Sequence, residues 1–204
     1  MGEAGLDFEE VLQARRSIRR YTGQAVPVET IEKLLRAAMW APSAHGNQPW
    51  RWVVVTTLSV KDRLAQTMGA RLRADRLVGG DVPEVVEAAV ARSYQRLTAA
   101  PALVVACSTL AGADSPQDSR VRWAEHAMAM QSVAAAIQNL LLTAHAMGLG
   151  ACWVCAPLFC PEVVRDVLDL PGDWEAQALV TLGYAAETKV PAPRLPMEKV
   201  VVYR

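Results

Sequence analysis

The chain has 204 residues, of which 52% are hydrophobic, and its 21 basic residues balance 21 acidic ones. This length fits one domain with a sizeable core, and the balanced charge argues against general nucleic-acid binding. The acidic, polar N-terminus and the lack of about 18 uninterrupted apolar residues argue against a secretion signal and a membrane span, so we expect a cytoplasmic protein.

The first quarter of the chain predicts two helices and a strand. Asp7 and Glu10 have the spacing of a capping box, which predicts a short helix to about Arg15. A basic corner follows, defined here as residues 15–21 with the sequence RRSIRRY. Apolar residues then recur at helical spacing over 31–39 until Pro42. The polar loop APSAHGNQP leads into an apolar run over 52–55, which predicts a buried strand.

The middle of the chain, residues 61–119, is predicted to be a helical excursion from the main fold. From Lys61 to about Tyr94 it is charged and helix-forming, with a break at Gly79-Gly80 and a new start near Pro83. Its length and charge suggest solvent-facing helices that act as a lid. A second strand is predicted over 102–107, followed by a loop over 111–119.

The longest predicted element is an apolar helix over 121–147. A helix about 40 Å long with so few polar residues must be covered on nearly every side, and a second subunit is the natural source of that cover. Strands over 152–154 and 176–183 and a helix over 161–168 follow. In the Pro-rich arm 188–204, residues 200–203 are expected to pair with a partner's sheet edge. The predicted class is α+β, with helices around a mixed, mainly antiparallel sheet.

Several common site types lack their sequence motifs. There is no GxGxxG, no GxxxxGK[ST] and no HExxH. Cys152 and Cys155 are three apart on a predicted strand, so they should project to opposite faces and bind no metal. His126 and His145 lie about five helical turns apart and cannot share a site within one subunit.

Two segments carry groups suited to binding a ligand. The guanidinium groups and hydroxyl of the basic corner suit a phosphate or an electron-rich ring edge, although clusters of charge are commonly just solvated. The loop over 42–50 presents hydroxyl, imidazole and amide groups between a helix and a strand. Neither segment is specific alone.

In this order, the segments resemble the nitroreductase family. The resemblance rests on RRSIRRY, APSAHGNQPWRWVVV, AIQNLLLTAHAMGLGACWV, LVTLGY and KVPAPRLP, and it covers most of the chain apart from 61–119. It implies a single α+β domain over 1–204 that forms an obligate homodimer, with FMN in each of two sites at the subunit interface.

The resemblance also implies which residues hold the flavin. The FMN phosphate and the electron-rich edge of the ring would be held by Arg15, Arg16, Ser17 and Arg19, with a further phosphate contact from Arg194. The other subunit would contribute Pro42, Ser43, Ala44 and Asn47. Along the ring, near its N5 edge, would lie Trp153, Val154, Cys155 and Ala156. The chain departs from the family here, where small or acidic residues are common. No dedicated catalytic residue is expected, because the flavin carries the chemistry.

A narrower resemblance suggests a substrate. AEHAMAMQSVAAAIQ and GLGACWVCAPLFCPEVVRDVLDLPGDWEAQALVTLGYA are similar to the C-terminal FMN reductase domain of the bifunctional coenzyme F-420 glutamate ligase and dehydro-F-420-0 reductase. This implies reduction of a deazaflavin precursor, with His45 and Trp50 as substrate contacts and cations supplied by Arg71, Arg73, Arg76 and Arg92. Two alternatives stay open: an NAD(P)H-dependent nitroaromatic or quinone reductase, and a non-catalytic deazaflavin-binding module of a ligase system.

Overall fold

The computed structural model describes residues 7–111 and 118–204, and these form six α-helices and four β-strands. The helices are α1 (Phe8–Ala14), α2 (Val28–Ala38), α3 (Leu58–Val78), α4 (Pro83–Thr98), α5 (Ser119–Ala146) and α6 (Pro161–Leu168). The strands are β1 (Trp50–Val55), β2 (Ala102–Ser108), β3 (Gly150–Val154) and β4 (Glu175–Gly183). The predicted α+β class is confirmed, and the capping box of Asp7 and Glu10 is present at the start of α1.

The four strands form one sheet in the order β1-β2-β4-β3, and each neighbouring pair is antiparallel. The central strands β2 and β4 are buried almost throughout. The prediction of a buried strand over 52–55 is wrong in its burial, because β1 is an edge strand whose Val54 is 41% exposed. It also begins two residues earlier, at Trp50.

Helices cover both faces of this sheet. Successive strand residues point to opposite faces, so Val104 packs into a first core with α2 and α5, while Val105 packs into a second core with α3 and α6. Because both faces are covered, β2 reads as a continuous apolar run. The sheet is the central layer of a three-layer sandwich.

Helix α5 is the main helix of the first core. By length and composition it is apolar enough to cross a membrane, yet its Val133, Ile137 and Leu140 are at most 1% exposed within this chain. Met130 and Ala134, next to this buried stripe, are only half-buried. The chain therefore supplies part of the cover that the sequence demands.

The excursion forms the two predicted helices, but the lid interpretation is wrong for α3. Leu64, Ala65 and Met68 are at most 4% exposed and belong to the second core. Helix α4 packs along α3 and buries Val86 and Leu97. Helix α3 is thus a structural layer of the sandwich, and most of the loop predicted over 111–119 lies outside the described residues.

The C-terminal arm forms no strand within the described chain. It contains one short 3-10 turn, Met197–Lys199, and Val202 and Tyr203 are 75% and 85% exposed. The pairing of residues 200–203 with a partner's sheet stays a prediction.

Candidate functional site

The basic corner lies beside β3 because the chain doubles back along the edge of the sheet. Ser17 forms a parallel bridge with Ala151, and the Ile18 N–H donates to the Ala151 carbonyl at 3.0 Å. A Cβ atom on Gly150 would lie 2.7 Å from Ile18 Cγ2. The absence of a side chain at position 150 therefore allows this close approach, which fixes where the arginines begin.

The guanidinium groups of Arg15 and Arg16 lie together at the start of this segment. Burial lowers the pKa of Arg15, and the nearby charges of Arg16 and Arg194 lower it further. The Nε atoms of Arg15 and Arg16 are buried and have no hydrogen-bond partner in the described part of the chain. Both residues line a cavity of about 390 Å³. The structure thus brings two residues that the resemblance assigned to a phosphate into one cavity, where their buried Nε donors lack an acceptor in the described chain. Arg194 is exposed and is not among the residues that line this cavity.

His145 lines the same cavity and was not among the predicted site residues. Its Nε2 is buried and unpartnered among the described residues, and its pKa is lowered by burial and then by Arg15 and Arg16. Nothing in its spacing connects His145 with residues 15–16. Only the fold, which sets the end of α5 beside the basic corner, brings it there.

Arg19 lies in a different place from Arg15. It lines a second cleft together with Arg20, and its Nη1 donates to the Ser17 carbonyl at 3.4 Å. Glu187 and Lys189 line both this cleft and the 390 Å³ cavity. Within one chain, the predicted phosphate ligands are therefore divided between two adjoining cavities.

The loop over 42–49 is held in an uncommon backbone conformation. His45 and Gln48 have φ angles of 54° and 46°, a region that costs non-glycine residues free energy and is often found at binding sites. Ser43 Oγ accepts from the Gln48 N–H at 3.1 Å, and Ser132 Oγ of α5 accepts from the Ala44 N–H at 3.2 Å. These bonds fix the loop against α5.

This loop and the arginine cluster line separate cavities in one chain. Ala44 and Asn47 line a cavity of about 220 Å³ beside α5, whereas Arg15 and Arg16 line the one beside β3. A single chain therefore does not bring the loop residues and the arginines into one cavity. The resemblance implies that they meet only across the interface of two subunits.

The predicted ring-edge segment lies at the end of β3. Trp153 and Val154 are half-buried, Cys155 is exposed, and Ala156 begins a 3-10 turn. Cys152 is buried and Cys155 is exposed, so their thiols face different surroundings. Among the described residues, no group of three or more His, Cys, Asp or Glu side chains could hold a metal ion.

The two predicted substrate contacts differ in their exposure to solvent. His45 is exposed, but Trp50 is only 4% exposed and packs in the first core. Trp50 is thus a core residue, because the first position of β1 points toward α5 and not toward solvent.

Most of the arginines proposed for the substrate are already paired. Arg71 binds Asp75 and Glu162, Arg73 binds Glu87, and Arg76 binds Asp81. Arg71 thereby joins α3 to α6 and Arg73 joins it to α4, while Arg76 pairs with Asp81 in the turn after α3. That these arginines bind substrate stays a prediction, which their existing partners do not support. Arg71 and Arg76 line a cavity of about 280 Å³, and Arg92 lines the wide cleft beside Arg19 and Arg20.

Comparisons with known proteins place this site in a broader context. The model of the family described as Nitroreductase matches residues 12–184. An NADH dehydrogenase of Thermus thermophilus is 34% identical over 98% of this chain and 97% of its own length. A Parabacteroides distasonis structure called an NADH dehydrogenase/NAD(P)H nitroreductase is 25% identical, with a TM-score of 0.71 over 96% of each chain. A nitroreductase structure from Desulfovibrio desulfuricans, solved with FMN, has a TM-score of 0.72 at 23% identity over 100% of this chain and 98% of that one.

Proposed function

This chain belongs to the nitroreductase family, and from that premise we propose that it is an FMN-dependent oxidoreductase that takes electrons from NAD(P)H. The observation that carries the proposal is the pair of buried Nε donors of Arg15 and Arg16, which line one cavity and have no partner in the described part of the chain. Buried charged donors are costly to leave unpaired. A phosphate group, with several anionic acceptor atoms, would satisfy them.

The residues present fit FMN in the way the family resemblance implies. Arg15, Arg16 and Arg194 would hold the phosphate, and the end of β3 from Trp153 to Ala156 would lie along the ring. When bound, FMN supplies the hydride chemistry. Arg19 would place positive charge near the electron-rich edge of the ring, which favours the reduced cofactor. The chain's part is binding, orientation and electrostatics.

We also propose that the functional unit is a homodimer. The half-buried side of α5, the exposed C-terminal arm, and the separation of residues 44 and 47 from the arginine cluster all support it. In a dimer, the strained loop of one subunit would complete the flavin site of the other. Pro42, Ser43, Ala44 and Asn47 are the residues proposed for that role.

For the electron acceptor, we propose a nitroaromatic compound or a quinone. The name of the Parabacteroides distasonis protein, an NADH dehydrogenase/NAD(P)H nitroreductase, supports the nitroaromatic compound, and the quinone is the other acceptor that the sequence left open. Reduction of the deazaflavin precursor dehydro-F-420-0 is the second candidate, supported by the sequence of residues 124–185 and by a wide basic cleft suited to a phosphate-bearing acceptor. A deazaflavin-binding role without catalysis would leave the proposed FMN phosphate site without a purpose.

The flavin proposal is tested by titrating the protein with FMN and with riboflavin, which lacks the phosphate. We expect Arg15→Ala to weaken FMN binding by about tenfold or more, the equivalent of one charge-assisted hydrogen bond, and to weaken riboflavin binding less. Arg36→Ala is the matched control, because Arg36 is an exposed residue of α2 paired with Glu32. Equal FMN affinity in the wild type and Arg15→Ala would remove Arg15 from the phosphate site.

The acceptor is tested by reducing the FMN-loaded protein without oxygen and adding each candidate separately. Rapid reoxidation of the flavin by a nitroaromatic or a quinone, with no reaction with dehydro-F-420-0, is the expected result. Reaction with the deazaflavin precursor alone would reverse the order of the two candidates.

A further inference from the structure

A wide basic cleft lies between the basic corner, α4 and residues 187–189. Its volume is about 820 Å³, within the range of small-molecule pockets. Five basic side chains and a single carboxylate line it: Arg19, Arg20, Arg92, Arg96 and Lys189, with Glu187. Such a concentration of one charge in a chain with no net charge points to an anionic ligand.

The single carboxylate is already engaged by other groups. Glu187 Oε1 accepts from the backbone N–H groups of Arg19 and Arg20 at 2.6 Å and 3.2 Å, and it lies 3.2 Å from Lys189 Nζ. One acidic charge thus sits against Lys189 and two backbone donors. Glu187 therefore does not neutralise the charges of the four arginine side chains.

Helix α4 contributes its arginines without any acidic neighbour of its own. Arg92 and Arg96 are one turn apart and share a side of the helix, and residues 88–99 contain no Asp or Glu. In the part of the chain that the structure describes, neither arginine forms an ion pair. The α3 arginines 71, 73 and 76, by contrast, each have a carboxylate partner.

The nearest acidic group on α3 is also occupied. Asp62 accepts from Tyr94 Oη and from Gln66 Nε2, and it is not among the residues that line the cleft. The helix dipole favours a cation such as Arg96 in the last turn of α4. It does not account for the meeting of Arg92 and Arg96 with Arg19 and Arg20 from another part of the chain.

We propose that this cleft binds the phosphate groups of a redox partner, with Arg92 and Arg96 as the arginines dedicated to them. The inference rests on the proposed function, since Glu187 and Lys189 line both the cleft and the cavity proposed for the flavin phosphate. One guanidinium group can donate two parallel hydrogen bonds to the oxygens of one phosphate. Two arginines one turn apart therefore suit the two phosphates of a diphosphate. The source of the phosphates is either a nicotinamide dinucleotide donor or a phosphate-bearing acceptor.

The binding test is independent of redox activity. Inorganic pyrophosphate is titrated calorimetrically into the full chain saturated with FMN. The bound FMN would occupy Arg15 and Arg16, so pyrophosphate could not bind there. If the protein binds no FMN, the same titration is made on the double variant Arg15→Ala/Arg16→Ala, so the cleft is still tested. We expect Arg92→Ala/Arg96→Ala to weaken pyrophosphate binding by about tenfold or more. The control Arg36→Ala should bind it like the wild type.

A wild-type protein that does not bind pyrophosphate, or a double variant that binds it equally well, would overturn the cleft proposal. A wild-type protein that does not bind FMN, or whose bound flavin NAD(P)H does not reduce, would overturn the proposed function instead. Thermal unfolding of the double variant, compared with the wild type, shows whether its fold is intact, and Arg92→Lys/Arg96→Lys should restore part of the affinity.

A kinetic comparison identifies the source of the phosphates. For the donor, kcat/KM with NADH is divided by kcat/KM with N-benzyl-1,4-dihydronicotinamide, which carries no phosphate. A fall of about tenfold or more in this ratio for Arg92→Ala/Arg96→Ala assigns the cleft to the dinucleotide. If the acceptor test shows that the protein reduces dehydro-F-420-0, a fall confined to the ratio of kcat/KM for dehydro-F-420-0 to that for an uncharged quinone assigns the cleft to the acceptor. Two unchanged ratios would overturn the assignment to a redox partner.

Discussion

His145 lies beside Arg15 and Arg16 with its Nε2 atom buried and unpartnered in the described chain. Burial and the two arginines lower its pKa in the folded state, whereas in the unfolded chain it titrates near its ordinary value of about 6.5. As the pH falls through that value, the unfolded state takes up a proton that the folded state resists. His145 therefore costs stability progressively below about pH 6.5, down to its lowered pKa.

We expect His145→Gln to flatten this part of the pH profile. Urea unfolding of the flavin-free protein at pH 7.5 and at pH 5.5 would show a smaller loss of stability for the variant than for the wild type. His126→Gln is the control, because its ring lies 3.6 Å from Glu175 and away from the arginines. An equal pH dependence for the wild type and His145→Gln would show that burial and the two arginines do not lower the pKa of His145.

At the scale of secondary structure elements, two glycines facing each other across β3 and β4 position the basic corner. Gly150 pairs with Gly183. Added Cβ atoms would lie 2.7 Å from Ile18 Cγ2 and 2.7 Å from Pro101 Cδ, respectively. Neither neighbour gives way easily, since Ile is stiff at χ1 and the proline ring is rigid.

We expect Gly150→Ala and Gly183→Ala each to destabilise the fold by about 1–3 kcal/mol, the usual cost of overpacking. Gly150→Ala should also weaken FMN binding, because it moves Ile18 and the arginines around it. Gly23→Ala is the matched control, as an added Cβ meets nothing within 4 Å there. Chemical denaturation measures the first effect and flavin titration the second. A Gly150→Ala variant as stable as Gly23→Ala would contradict the close packing.

Elements whose signals are local could be predicted from the sequence. The capping box at Asp7, the helix over 161–168 and the apolar runs of the central strands are each encoded within a few residues. The burial of Trp50 and the pairing of the α3 arginines could not be predicted, because strand order and helix packing decide them. A loop tryptophan or a helical arginine looks the same in sequence whether it faces a ligand or a neighbouring element.

The candidate site was predictable to a similar extent. Family motifs indicated the arginines at 15, 16 and 194, and the fold places the first two in one cavity. His145 and Arg96 reach their cavities from elements distant in sequence, and neither carries a motif. Spacing along the chain does not reveal contacts of this kind.

For the whole molecule, the partly covered side of α5 leads to a prediction about assembly. Ala134 is half-buried in one chain, and in the proposed dimer it would be covered by the partner. We expect Ala134→Glu to yield monomers that fold but bind FMN weakly, because a buried unpaired charge is costly and each flavin site would lose the partner's loop. Light scattering at micromolar concentration measures the mass.

The control for this prediction is Val78→Glu, at the exposed end of α3, where Val78 is 90% exposed. It should remain dimeric and retain its flavin. A wild-type chain that is monomeric at micromolar concentration, yet binds FMN tightly, would contradict the shared site.

Glu187 and Lys189 line both the cavity beside β3 and the cleft beside α4, and Lys189 Nζ also donates to the Ser17 carbonyl between them at 2.9 Å. The two cavities are thus separated by a shared wall. If a ligand in one cavity displaces Glu187 or Lys189, it changes the affinity of the other cavity for its own ligand. This linkage is reciprocal: the factor by which FMN alters the affinity for the second anion equals the factor by which that anion alters the affinity for FMN. Two anions that draw on the same lysine would oppose each other, so a phosphate-bearing partner would leave most readily while the flavin phosphate is firmly held.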